Sequence, residues 1–95
     1  MKQKKSKRFR HYLSGELDTY RLAFHVIMQA VADVEDETLD MLERVKALHW
    51  LQGHSEQDKE DLDLWTSIIG ISSEMIQKKY LSYRFLGNQL IVPTL

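Results

Sequence analysis

Cysteine is absent from this 95-residue chain, so no disulfide framework, cysteine-based zinc site or thiol nucleophile can be built. That absence suits a reducing compartment, and a cytoplasmic protein is expected. Proline occurs once, at Pro93, and glycine four times, at Gly15, Gly53, Gly70 and Gly87, so the residues that punctuate helices are sparse. No hydrophobic run approaches the roughly 18 apolar residues of a spanning helix. The longest wholly aliphatic stretch near either end is Leu90-Ile91-Val92, and no membrane partner is expected. The charged start is followed by Leu13, Ser14, Gly15, Glu16 and Asp18 rather than an apolar core, so a secretory signal is not expected either. Glycine-rich phosphate loops and the Gly-x-Ser-x-Gly elbow are missing. His11, His25, His49 and His54 include no pair three or four apart, and none has a carboxylate three residues before it. Histidine metal sites and the Glu-x-x-His signature of di-iron bundles are thereby excluded on one helical face. The expectation is a protein without metal, cofactor or catalytic residues.

What the chain has is helical periodicity. Leu17, Tyr20, Phe24, Ile27, Val31, Val34, Thr38, Met41, Val45 and Leu48 follow one another at alternating steps of three and four, with only Thr38 polar. Such spacing draws one stripe along a long helix and requires a partner helix to cover it. Ser14 could cap the helix, with Glu16 and Asp18 in its first turn. Its first clear stop is Gly53, after which Ser55 can cap a second helix opening with Glu56, Asp58, Glu60 and Asp61. The spacing therefore predicts an all-α protein: a long antiparallel helical hairpin over residues 16–52 and 56–86, about 55 and 46 Å in length. A three-helix bundle broken near residue 36, within Val34-Glu35-Asp36-Glu37-Thr38, is the alternative, since helices this long exceed the usual dozen residues.

The second helical stretch carries two apolar lines, Leu62, Trp65, Ile69, Ile76, Tyr83 and Leu86, and then Leu64, Ile68, Ile71 and Met75. A hairpin covers one of them. The line of Leu64, Ile68, Ile71 and Met75 is thus the expected interface of a homodimer in which two hairpins close a four-helix bundle. Gly70 reads equally as a point of close helix approach, beside Thr66, Ser67 and Ser73, or as a local weak spot. Gly87-Asn88 reads as a helix ending, and residues 89–95 as an extended apolar tail. The domain order expected is a flexible basic arm over residues 1–12, a helical domain over 13–88, and that tail.

Charge is segregated. Lys2, Lys4, Lys5, Lys7, Arg8 and Arg10 place +6 in the first ten residues, whereas the remaining seven Lys or Arg and fourteen Asp or Glu leave 7 − 14 = −7 in the body. Six cations interleaved with Phe9 and His11 are suited to the phosphates of nucleic acid or to an acidic protein partner, without base-specific readout. The function expected is a small non-enzymatic binding or regulatory protein that engages nucleic acid through this arm; a helical protein-binding adaptor is the alternative.

One further pattern involves carboxylates. Asp40-x-x-Glu43 and Glu60-x-x-Asp63 each set two acids on one helical face. The pair resembles the carboxylate motifs of the all-α, MazG-like nucleoside triphosphate pyrophosphohydrolases, with Asp40 in place of Glu. The resemblance covers about a quarter of the chain. It implies magnesium held by Asp40, Glu43, Glu60 and Asp63 against a nucleotide's phosphates. The competing reading is a solvated acidic tip, because Glu43 and Glu60 fall at the outermost positions of the predicted seam.

Overall fold

A computed structural model describes residues 16–93. Within them the protein is mostly helical, with α1 (Glu16–Glu35), α2 (Met41–Gln52), α3 (Glu56–Ile69) and α4 (Ser73–Tyr80) followed by a two-stranded antiparallel hairpin, β1 (Arg84–Leu86) and β2 (Gln89–Ile91). The all-α expectation holds for the body of the chain. The helix extents do not hold, and each difference has a local chemical cause.

The predicted helix over 16–52 breaks at residues 36–40, where the three-helix alternative put the break. Asp36 is the reason. Its Oδ1 accepts from the Thr38 amide at 2.9 Å and from the Thr38 hydroxyl at 2.6 Å. In a continuous helix the Thr38 amide would instead donate to the carbonyl of Val34. The Thr38 hydroxyl, and then its amide, hold the Asp36 carboxyl below its ordinary value of 3.8, with the charge of Arg44 acting in the same direction. The predicted helix over 56–86 ends early as well. Gly70 takes φ 80°, its amide donates to Ser67 O at 3.2 Å, and the Ile71 amide donates to Thr66 O at 3.1 Å, which closes α3 with a left-handed cap. Ser72 then starts α4, accepting from the Glu74 amide at 3.2 Å. Gly70 is therefore a helix end, neither a packing patch nor a kink inside a helix.

The third correction concerns Gly87-Asn88, read as a helix ending. These two residues form the turn of the β-hairpin, whose register pairs Arg84 with Ile91, Phe85 with Leu90 and Leu86 with Gln89. Gly87 has φ 63° and no non-glycine residue is left-handed among those described, the pattern of a type II′ turn. Residues 89–91 of the expected tail are thus a paired strand. The boundary at Gly53 and Ser55 stands as read. Gly53 caps α2 at φ 60°, and the Ser55 hydroxyl accepts from the Asp58 amide at 3.0 Å.

These breaks fold the chain back on itself, with α1 packed on both α2 and α3 and α4 against α2. The main core gathers Val34, Ala47, Leu48, Leu51 and Tyr80, flanked by Val31, Ile76, Phe85 and Leu90. Nearer the start of α1, Ala23 and Ile27 are buried, as are Leu62 and Thr66 of α3, whose hydroxyl is satisfied by Leu62 O at 2.7 Å. Gln52 ties the end of α2 to the chain after α4, donating to Tyr80 O at 2.8 Å and Tyr83 O at 3.0 Å.

Arg44 is the unusual core member, with only 3% of its surface exposed. It shares a face of α2 with Ala47, Leu48 and Leu51. Its Nε and Nη2 donate to Val34 O at 3.1 and 2.9 Å, and its Nη1 donates to Asn88 O at 3.1 Å. The guanidinium carbon lies 5.0 Å from the centre of the Phe85 ring. One side chain therefore supplies the donor that Thr38 withdrew from the end of α1 and anchors the hairpin turn. A cation also suits the carbonyl end of a helix.

Candidate functional site

A cleft of about 730 Å³ lies between α1 and α2, reached by Asp58 from α3. Its α1 wall consists of His25, Val26, Gln29, Ala30 and Asp33, which share one helical face through steps of one and three. Glu43, Lys46, Ala47, His49 and Trp50 supply the opposing wall from α2, where 43, 46 and 49, and likewise 47 and 50, are three apart. The lining is apolar at Val26, Ala30, Ala47 and Trp50 and polar around them. Gln29 Nε2 donates to Asp33 Oδ1 at 2.8 Å, which fixes that carboxylate. Lys46 Nζ lies 3.9 Å from Glu43 Oε2, an exposed pair that contributes little to stability. His49 stacks on His54 with ring centres 4.3 Å apart and planes 15° apart, across the left-handed cap at Gly53.

The predicted site residues are distributed differently. Asp40 stands at the N-cap of α2 without a capping hydrogen bond from its side chain, and Glu43 pairs with Lys46. Asp63 accepts from the Ser73 hydroxyl, while Glu60 is exposed on α3. Among the described residues no three His, Asp or Glu side chains converge as metal ligands would, so Asp40, Glu43, Glu60 and Asp63 are not gathered into the pyrophosphohydrolase arrangement. Lys2, Lys4, Lys5, Lys7, Arg8 and Arg10 lie outside the described residues. No helix among the described residues is long and apolar enough to cross a membrane.

Three of the four residues of the predicted interface line are exposed in the single chain. Leu64 is 54% exposed and Met75 62%, Ile71 is exposed, and Ile68 is half-buried. With the break at Gly70, the four residues sit on α3, the connection and α4 rather than on one helix. Beside Met75 and Leu81 a groove of about 490 Å³ runs between α4 and Gln52 at the end of α2. The cleft that Trp50 helps to line escaped sequence reasoning. His49 and Trp50 lie outside the seam that runs from Leu17 to Leu48. No family model, curated protein or solved structure matches this chain, so its function rests on these geometries.

Proposed function

We propose that the chain is a small non-enzymatic helical binding protein that pairs with a second copy of itself through the line of Leu64, Ile68, Ile71 and Met75, and that its basic arm engages a polyanion such as nucleic acid. The observation carrying the first part is the exposure of Leu64 and Met75, each more than half open to water, with Met75 also lining the groove beside Leu81. Large exposed apolar side chains favour burial by about 25 cal/mol per Å² removed from water. The arm reading is supported by six cations in ten residues against a body of opposite sign.

Light scattering at micromolar concentration tests the pairing. A mass near twice the 11.2 kDa of the chain is expected, and Leu64→Glu with Met75→Glu should return it to that of one chain. The two positions suit this test because their carboxylates stay hydrated in a single chain and are desolvated, at several kcal/mol, only in a covered interface. A wild-type protein that scatters as one chain refutes the homodimer and leaves the protein-adaptor reading of the same surface.

A further inference from the structure

The α1–α2 cleft takes no part in the pairing surface. Its apolar lining of Val26, Ala30, Ala47 and Trp50 is joined by three carboxylates, Asp33, Glu43 and Asp58, by the imidazoles of His25 and His49, and by one ammonium, Lys46, which already faces Glu43. An occupant that complements this lining combines an apolar or aromatic anchor with flanking cations. Trp50 would add a favourable aromatic face for those cations. This chain carries one such segment. In Lys7-Arg8-Phe9-Arg10, the only apolar side chain of residues 2–10 stands between two guanidinium groups.

We propose that residues 7–10 of the chain dock into its own α1–α2 cleft, with Phe9 toward Trp50 and the cations toward Asp33 and Asp58. The lengths permit it. Phe9 is seven residues before Glu16, a reach of about 24 Å in extended chain, whereas the cleft begins at His25, about 14 Å along α1. Tethering makes the docking an intramolecular event at an effective concentration near millimolar, so a weak contact suffices. Docking and polyanion binding draw on the same cations and are mutually exclusive. The arm is then available to an acidic partner only in competition with the body's own carboxylates.

The absence of native cysteine makes a direct test simple. In the full chain, Ser6→Cys carrying a nitroxide should weaken the amide resonances of Gln29, Asp33, Ala47 and Trp50 severalfold more than those of α4 and the hairpin. Asp33→Asn with Asp58→Asn should restore them, as should about 0.5 M salt, where the screening length is near 4 Å. Arg8→Glu with Arg10→Glu, outside every described helix, provides the same check without altering the body. Mixing isotope-labelled chains without the nitroxide and unlabelled chains bearing it reports contact between copies. Weakening confined to the first turns of α1, insensitivity to either charge-altering pair, or equal weakening in the mixed sample overturns docking in cis. Light scattering on the same samples reads the pairing separately, so failure of one inference is not mistaken for failure of the other.

Discussion

Replacing Arg44 by Met should cost about 2–3 kcal/mol, a large fraction of the roughly 5–14 kcal/mol expected for a chain of 95 residues. Met keeps the apolar stem and removes the guanidinium. Val34 O then loses both of its Arg44 donors, and no helical donor replaces them because the Thr38 amide is held by Asp36. A buried carbonyl left without a partner costs about 1–3 kcal/mol. The cation lost from the Phe85 ring adds about 0.5–2 kcal/mol. Acting the other way, a charge that is 3% exposed no longer has to be desolvated, which offsets part of the loss. Arg44→Lys should fall between wild type and Met, since an ammonium is a point donor and cannot span Val34 O and Asn88 O in the same geometry. Urea unfolding measures the difference, and hydrogen exchange locates it: amides of the hairpin should open more readily while those of α3 change little. An Arg44→Met protein as stable as wild type would show that the desolvation penalty dominates, and the account of Arg44 as the tie between α1 and the hairpin would fail.

Gly53→Ala should destabilise more than Gly70→Ala: both are left-handed, at about 1–2 kcal/mol for a side chain there, but only at Gly53 would the new Cβ meet Gln77 Cδ at 2.9 Å. Unfolding of Gly53→Ala with Gln77→Ala should recover part of that difference, because it is the Gln77 side chain that must move. Thr38→Val should raise the titration midpoint of Asp36 toward 3.8, observable by NMR, since the Thr38 hydroxyl is the largest cause of its depression. A lowered folded value means that the Asp36 contribution is present above pH 3.8 and disappears as pH falls through the folded value, so Thr38→Val should flatten that acid limb. Tyr80 titrates above its ordinary 10.0, first because burial disfavours the phenolate and then through Tyr83 and Glu35; its contribution is present below pH 10.0 and is lost as pH rises through the higher folded value, which absorbance of the phenolate follows.

The boundary at Gly53 and Ser55 was legible because glycine and a hydroxyl at those positions each perform one local act, and both acts occur. The break at residues 36–40 was legible only as an alternative. Val34, Thr38 and Met41 keep the step of the seam across it, so periodicity alone joins two helices that side-chain chemistry separates. The deciding signal was Asp36 two residues before Thr38, a pair able to close on itself and compete with the helix. At the other end, Tyr83 and Leu86 continued an apolar line of helical spacing and concealed a hairpin. Gly87-Asn88 between the aromatic and branched residues of 83–86 and 90–92 was the opposing signal.

Arg44 and the cleft were hidden for a related reason: a stripe assigned by spacing presumes a partner running its whole length. The seam assigned Tyr20, Phe24, Ile27, Val31 and Val34 to one buried face of α1; Ile27 and Val34 are buried as assigned, yet Tyr20 and Phe24 are 48% and 49% exposed while Ala23, off the seam, is buried. With α1 at 20 residues and α2, α3 and α4 at 12, 14 and 8, no single partner matches it. Its neighbours cover it in sections, and each section selects its own face. On α2 the chosen face passes through Arg44, Ala47, Leu48 and Leu51, one step from the Met41, Val45 and Leu48 of the seam, and that rotation carries a cation into the core. It also turns Glu43, Lys46, Ala47 and Trp50 toward His25, Gln29 and Asp33, opening the cleft between faces that a straight hairpin would have kept apart.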